Sequence, residues 1–374
     1  MTTIGGGVFS SCSSLTTLKV DERNRIYDSR DNCNAIINTV TNKLIAACQA
    51  TTSIPSSVKA IGEYAFSGCT SLTSITIPTG VTSIEKYAFE GCKNLTSITI
   101  PNRVTSIGAG AFLGCNGVTS ITIPNGVKYI EADIFSGCAS LTSITLGDRI
   151  VSIGASAFNQ CTSLTSITIP NSVLSIEKWA FSHCTGLISI TIGNNVMAID
   201  YGAFQNCKKL KDIICLSENV PTTNLDAFYV TSIQNATLKV PENSIDLYKA
   251  QKPWSDFGKI VVYSPDNEAA NSVIAMIKAI GKVVYTDVSK ARIDAARTAY
   301  EALTDVQKAL VTNVETLIAA EAKYLELQEM ATSINVVSAD ETENIWYDLG
   351  GRKLCKKPVT KGVYILNGKT VFIK

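Results

Sequence analysis

The sequence has little charge and almost no histidine. Only 17% of its 374 residues are charged, the formal net charge is +1, and His183 is the single histidine. Such a chain has no global field to attract nucleic acid or an acidic membrane surface, and no apolar run is long enough to cross a bilayer. These shortages argue against nucleic-acid-binding and membrane-spanning classes, whereas 45% hydrophobic residues can form a large core.

The sequence also lacks the short motifs of enzyme and metal sites. It contains no nucleophile elbow and no phosphate-binding glycine loop. Its 12 cysteines lack the C-x-x-C spacing and the histidine partners of a zinc site. His183 precedes Cys184, but adjacent residues point differently, so a Cys–His nucleophilic pair is not expected. We predict no enzymatic activity, no metal and no cofactor.

A strict repeat of 23 residues is the strongest signal in the sequence. Cysteine, phenylalanine and isoleucine each recur seven times at this interval. The three series are Cys69, Cys92, Cys115, Cys138, Cys161, Cys184 and Cys207; Phe66, Phe89, Phe112, Phe135, Phe158, Phe181 and Phe204; and Ile75, Ile98, Ile121, Ile144, Ile167, Ile190 and Ile213. Self-similarity of this kind predicts a solenoid, whose stacked units share one continuous core.

Each unit predicts two short extended segments joined by turns. Residues 72–78 carry apolar side chains at positions 1, 4 and 6, which is the L-x-x-L-x-L start of a leucine-rich repeat. Ile75 and Ile77 alternate with a threonine, as a strand with one buried face requires, and Pro78 ends the strand. Residues 81–84 predict a second extended segment, after which an Ala-Phe pair closes the coil in a helical or 3₁₀ turn.

The recurring cysteines are predicted to form a core column. A small, weakly polar side chain at one inward position suits a buried ladder, and stacked side chains point the same way, which disfavours disulfides between coils. Before the first regular unit, residues 32–37 and 44–48 predict a hairpin. With the turn centred on residues 40 and 41, Cys33 would face Cys48, which makes a disulfide between them a hypothesis.

The repeat decays after Cys207. Phe228 arrives one residue late, and residues 236–241 predict a last strand. Trp254, Phe257 and residues 260–262 are predicted to cover the end of the core, because a solenoid needs a cap over its terminal apolar face.

Beyond residue 264 the composition changes to one rich in alanine, lysine and glutamate. Residues 267–279, 288–302 and 305–327 are apolar at helical spacing, which predicts a small three-helix bundle. A short β module follows, with a hairpin turn at Asn367-Gly368. The predicted domains are residues 1–263, a mainly β leucine-rich-repeat solenoid with an N-terminal hairpin and a C-terminal cap; residues 264–330, the three-helix module; and residues 331–374, the β module.

The repeat resembles the BspA-like class of leucine-rich repeats over roughly residues 1–263. The fit is close over residues 164–181 and over residues 118–135, where Val118 replaces the motif's leucine and Ile134 its alanine. The resemblance implies secreted or surface proteins of anaerobic Gram-negative bacteria, linked to attachment. The tail over residues 347–374 is similar to C-terminal surface-sorting β domains. The resemblance therefore implies an extracellular or cell-surface location. No signal peptide is visible and the chain opens within a repeat, so we expect that the signal peptide has been removed.

Two sets of side chains are candidate ligand contacts. The first is a pair of hydroxyl columns along the presumed strand face, and the second comprises aromatic residues in the more variable second half of the unit. The candidates are Ser120, Thr122, Ser143, Thr145, Ser166 and Thr168, and the aromatics Tyr87, Tyr129, Trp179 and Tyr201. The alternatives are a merely solvated sheet for the hydroxyls and packing for the aromatics.

These observations favour a non-enzymatic cell-surface or secreted binding protein that uses the solenoid as its interaction surface. The expected partners are host proteins, cell surfaces or glycans, without nucleic acid. The alternative is a structural scaffold or spacer without a specific ligand, and a more remote one is an accessory to a carbohydrate-active enzyme. The fold by itself names no ligand.

Overall fold

The chain consists of two compact units, Met1–Tyr263 and Ser264–Lys374. The computed structural model describes residues 3–12, 14–332, 345–366 and 369–373. The first unit is a β-solenoid of about nine turns with 23-residue spacing, and helices and an antiparallel sheet follow it. The predicted order of architectures is confirmed.

Two columns of short parallel strands run along the solenoid. The first column contains Ser74–Thr76, Ser97–Thr99, Ser120–Thr122, Ser143–Thr145, Ser166–Thr168, Ser189–Ile192, Asp212–Cys215, Thr237–Val240 and Lys259–Val262. The second contains Ala60–Ile61, Ser83–Ile84, Ser106–Ile107, Tyr129–Ile130, Ser152–Ile153, Ser175–Ile176, Ala198–Ile199 and Thr222–Thr223. Because the pairing shifts by one repeat, each residue lies opposite its own equivalent, as Ser120 does with Ser143.

The register produces a stack of phenylalanine rings through the core. Neighbouring rings from Phe66 to Phe228 lie parallel, with centroids between 5.0 Å and 5.6 Å apart. Offset stacking at this separation is a favourable aromatic geometry. The insertion that delays Phe228 by one residue therefore does not interrupt the stack.

The cysteine column is buried, as predicted, and six of its seven thiols also make the same hydrogen bond. The Cys138 Sγ donates to the carbonyl oxygen of Phe112 at 3.2 Å, one turn earlier. The same bond is made by Cys92, Cys115, Cys161, Cys184 and Cys207. In the next turn Thr231 occupies the place of the cysteine, and its hydroxyl donates to the Phe204 carbonyl at 2.6 Å. The column therefore links adjacent turns by buried hydrogen bonds from side chains to backbone carbonyls.

The N-terminal hairpin contains Ala35–Asn38 and Lys43–Ala47, with Tyr27–Asp28 as a third strand. A bulge after Ile36 shifts its register by one residue. Since a one-residue slip moves a side chain to the other face, Cys33 joins the main core while Cys48 packs in a separate N-terminal cluster. Both thiols are free. The predicted facing of Cys33 and Cys48, and the disulfide built on it, are wrong.

The C-terminal cap is built from one short helix and one more strand. Ile245–Ala250 is α-helical, and Trp254 is fully buried against the last stacked ring, Phe228. The prediction that the sheet ends at residue 241 is wrong, because Lys259–Val262 continues it in parallel with Thr237–Val240. The repeat spacing did not predict this strand, because the cap residues separate it from the preceding one.

The second unit begins with helices Pro265–Ile280 and Asp287–Glu301, close to the predicted bounds. The third predicted helix is broken into Asp305–Ala309 and Val314–Thr332. Between these segments Val311 is buried and the Asn313 side chain donates to the Ile274 carbonyl at 3.1 Å. Tertiary contacts therefore override the helical periodicity there.

A four-stranded antiparallel sheet completes the second unit. Its strands, in spatial order, are Lys353–Leu354, Trp346–Tyr347, Gly362–Leu366 and Lys369–Ile373. Leu366 pairs with Lys369, so the two strands bracket the predicted Asn367-Gly368 turn, which itself lies outside the described residues. Whether the helices and this sheet are separate domains, divided at residue 331, stays a prediction.

Candidate binding surface

The first strand column presents a regular face of hydroxyl groups. In each strand from Ser74–Thr76 to Ser166–Thr168, the serine and the threonine are exposed while the isoleucine between them points inward. We call the resulting ten side chains the hydroxyl face: Ser74, Thr76, Ser97, Thr99, Ser120, Thr122, Ser143, Thr145, Ser166 and Thr168. The structure therefore brings all six predicted hydroxyl candidates together on one surface.

The hydroxyl groups of this face are available to a ligand. Across the described residues, none of the ten forms a side-chain hydrogen bond with the protein. Neighbouring threonines behave differently: Thr96 and Thr142 donate to backbone carbonyls of the preceding turn at 3.1 Å and 2.9 Å. The hydroxyls of Thr96 and Thr142 are therefore already used in hydrogen bonds to the backbone. The hydroxyls of the hydroxyl face are instead exposed to solvent.

The hydroxyl face has no charged side chain over these five strands. Farther along the same column, Asp212 occupies the serine position two turns after Ser166, and Lys239 occupies the threonine position three turns after Thr168. These two residues form an ion pair at 2.9 Å. Charge in this column thus begins beyond the hydroxyl face, whose own side chains are neutral donors and acceptors.

The aromatic candidates lie in the second half of the unit, and three of the four contact another ring. Trp179 and Tyr201 meet edge to face, with ring centroids 5.8 Å apart. Tyr87 stacks on Tyr64 at 4.9 Å, a partner that the sequence argument missed. Tyr129 lies on a second-column strand, exposed, without a ring contact among the described residues.

A glycine one turn later makes room for each large ring. Trp179 and Tyr87 both have left-handed backbone, with φ of 56° and 54°. A Cβ on Gly202 would lie 2.6 Å from the Trp179 indole, and one on Gly110 would overlap the Tyr87 ring. An aromatic residue followed 23 positions later by glycine was the available sequence signal for these placements.

The only histidine is not paired with a thiol. His183 Nδ1 lies 2.8 Å from the Ser182 Oγ, while the Cys184 thiol donates to the Phe158 carbonyl at 3.1 Å. Burial raises the pKa of Cys184 to about 12, which keeps it protonated and unreactive at neutral pH. The described residues contain no group of three or more metal-ligating side chains.

None of the described helices is both long enough and apolar enough to cross a membrane.

Solved structures of bacterial leucine-rich-repeat proteins are similar to this chain. One from Eubacterium ventriosum is 30% identical with a TM-score of 0.51, and the match covers 54% of this chain and 55% of that protein. The chain thus spans little more than half of that relative. The T. pallidum protein TpLRR is 27% identical, with a TM-score of 0.42 and coverage of 52% and 91%.

A third solved structure, a leucine-rich-repeat protein from Bacteroides ovatus, is 25% identical with a TM-score of 0.34 and coverage of 58% and 62%. The comparison with curated proteins finds no match. The model of the BspA-type leucine-rich repeat region matches residues 38–154 and 130–249, with six copies, which is more than half of the chain. The repeat register, the stacked core and this match together establish that the chain belongs to the BspA-type leucine-rich-repeat family.

Proposed function

We propose that this protein is a non-enzymatic, cell-surface or secreted binding protein whose solenoid contacts a protein or glycan on host or neighbouring cells. The observation that carries the proposal is the hydroxyl face, with ten exposed hydroxyls that lack partners among the described residues. Membership of the repeat family supports an interaction role. The extracellular location rests on the resemblance of the repeat to secreted and surface proteins.

The geometry of the hydroxyl face favours an extended polar ligand. Adjacent turns of a parallel ladder repeat at about 4.8 Å, so equivalent hydroxyls form evenly spaced rows. A neutral hydrogen bond contributes only about 0.5–1.5 kcal/mol net. Useful affinity therefore requires a ligand that contacts several turns at once, as a glycan chain or an extended polypeptide segment can.

The test is binding of the full chain to an array of glycans and extracellular matrix proteins. The variant Thr122→Val with Thr145→Val removes two hydroxyls while keeping the β-branched shape. Two lost hydrogen bonds should weaken binding roughly 5- to 140-fold. Thr82→Val with Thr105→Val is the matched control, since these hydroxyls donate to carbonyls of the second column at 3.3 Å.

Equal binding by the wild type and the Thr122/Thr145 variant would contradict the hydroxyl-face proposal. Failure of every array ligand to bind would instead favour the scaffold role. Turnover of any arrayed glycan or protein would overturn the non-enzymatic assignment.

A further inference from the structure

Three consecutive turns, which follow the strands Ser175–Ile176, Ala198–Ile199 and Thr222–Thr223, expose aromatic and acidic side chains in the second half of the unit. We call this surface the Trp179 patch, and it comprises Trp179, Tyr201, Glu177, Asp200 and Asp226. We propose that the Trp179 patch binds an arginine- or lysine-containing segment of a partner polypeptide. This inference rests on the proposed role of the solenoid as a binding module, but it uses a second surface.

The aromatic pair is held firmly yet remains open to solvent. Trp179 is 42% exposed and Tyr201 is 37% exposed, although the two rings contact each other. The Trp179 backbone nitrogen donates to the Tyr201 carbonyl at 3.0 Å, and the indole lies over Gly202. The repeat thus fixes the position of the Trp179 ring without burying it in the core.

The left-handed backbone at Trp179 recurs at the equivalent position of every turn from Tyr64 to Gly202. Its φ of 56° matches the 57° of Asp133 and the 55° of Ser156. The conformation therefore belongs to the repeat, and what is particular to this turn is the large ring placed there. The indole lies over Gly202, yet Trp179 remains 42% exposed.

The carboxylates around the aromatic pair are not neutralised. Glu177 and Asp200 occupy equivalent positions in adjacent turns, and each accepts only a backbone N–H, at 3.1 Å and 2.6 Å. Asp226 follows one turn later, where its carbonyl accepts from Gly202. Among the described residues none of the three forms an ion pair. Residues 177–179, 200–202 and 226 contain these three carboxylates and one cation, Lys178, so together they carry a net charge of −2.

This combination is complementary to a cationic side chain. A guanidinium or ammonium group over an indole is attracted by the π face of the ring, more strongly when the contact is desolvated, and the carboxylates add charge complementarity. Leu174 and Met197 in the same turns are exposed at positions that hold Thr82 and Thr105 earlier in the solenoid. The partner segment should therefore carry apolar residues beside its basic ones.

A neutral glycan stacked on Trp179 is the competing occupant. A neutral sugar would stack on the indole but would gain no charge attraction from the neighbouring carboxylates. The two occupants are distinguished by their response to charge, because only the cationic segment should depend on Glu177 and Asp200.

The experiment titrates the full chain with a synthetic octapeptide of alternating arginine and leucine. Binding is followed by the fluorescence of Trp179, because the other two tryptophans, Trp254 and Trp346, are buried. Calorimetry measures the affinity of every variant. Trp179→Gly should weaken binding at least tenfold, the loss expected of an aromatic anchor. Trp179→Tyr should retain most of it. Both replacements suit the backbone, since Gly110 and Tyr87 occupy the equivalent position.

Glu177→Gln with Asp200→Asn should also weaken binding. The affinity of this variant should depend less on salt concentration, because fewer charge–charge interactions remain for salt to screen. The inference is overturned if a glutamate–leucine octapeptide binds equally well, or if Trp179→Gly leaves the affinity unchanged. It is also overturned if cellohexaose, and not the arginine peptide, binds through Trp179.

The two proposals can fail separately. If the arrays yield no ligand while the arginine peptide binds through Trp179, only the hydroxyl-face proposal fails. If an array ligand depends on Thr122 and Thr145 while the peptide does not bind, only the Trp179 inference fails.

Discussion

Raising the pH above about 9 should destabilise the solenoid through its buried cysteines. Burial raises the pKa of Cys69, Cys138 and Cys184 to about 12 from a usual value of 9.0. Between these values the folded chain keeps each proton while the unfolded chain loses it. Stability should therefore be unaffected below pH 9 and should fall as the pH rises from about 9 towards 12.

The expected magnitude is large for such a small group. One thiol with this change in pKa loses about 2 kcal/mol of stability between pH 9 and pH 11. Three such thiols would remove roughly 6 kcal/mol, which is comparable to the whole stability of a typical domain. Other groups also titrate in this range, so the contribution of the column has to be measured as a difference.

Cys138→Ala isolates that difference. At pH 8 the variant should be about 1–2 kcal/mol less stable, because it loses the sulfur and its bond to the Phe112 carbonyl. At pH 11 the wild type has lost about 2 kcal/mol more than the variant, so the two stabilities should converge or cross. Urea unfolding from pH 7 to 11, with a reductant present, measures both curves.

The exposed residue Cys12 provides the control. Cys12→Ala should leave the pH profile parallel to that of the wild type, because this substitution removes no thiol from the buried column. Parallel profiles for the wild type and Cys138→Ala would refute the linkage between burial of the thiols and alkaline unfolding.

Three further outcomes are expected. A thiol reagent at pH 8 should label only the two exposed cysteines, Cys12 and Cys355, rapidly in the native chain and all 12 after denaturation; rapid native labelling of more than two would contradict the buried column. Phe135→Ala should lower the unfolding free energy by about 3–5 kcal/mol, measured by urea titration, because the ring is fully buried between two stacked neighbours. Thr231→Val should cost about 1–3 kcal/mol by leaving the Phe204 carbonyl without its hydroxyl donor, whereas Thr231→Cys should cost less because it restores the donor used elsewhere in the column; equal losses in the two variants would argue against that hydrogen bond.

The irregular ends show where sequence patterns stopped being sufficient. The hairpin was predictable from its apolar runs, yet a single bulge after Ile36 placed Cys33 and Cys48 on opposite faces. The final strand Lys259–Val262 was separated from the repeat by the cap, so no period pointed to it. The helix break at Asn313 depends on a contact with Ile274, which local sequence does not encode.

The candidate surfaces divide in the same way. Alternation within each unit was enough to place Ser120 and Thr122 on an outer face, because side chains of a strand alternate. Their lack of partners depends on which neighbouring hydroxyls reach a backbone carbonyl, as Thr142 does. The contact between Trp179 and Tyr201 likewise depends on the distance between turns and on the space above Gly202.

The sequence by itself determined the solenoid, its 23-residue period and its core columns, because a repeated unit that cannot bury its own apolar side must stack on its copies. The tertiary structure decided the rest: which buried thiols donate to which carbonyls, on which faces Cys33 and Cys48 lie, and which exposed aromatic rings contact each other. Those features depend on the register between turns and on space left by neighbouring backbone, and a one-residue shift or a single glycine changes both.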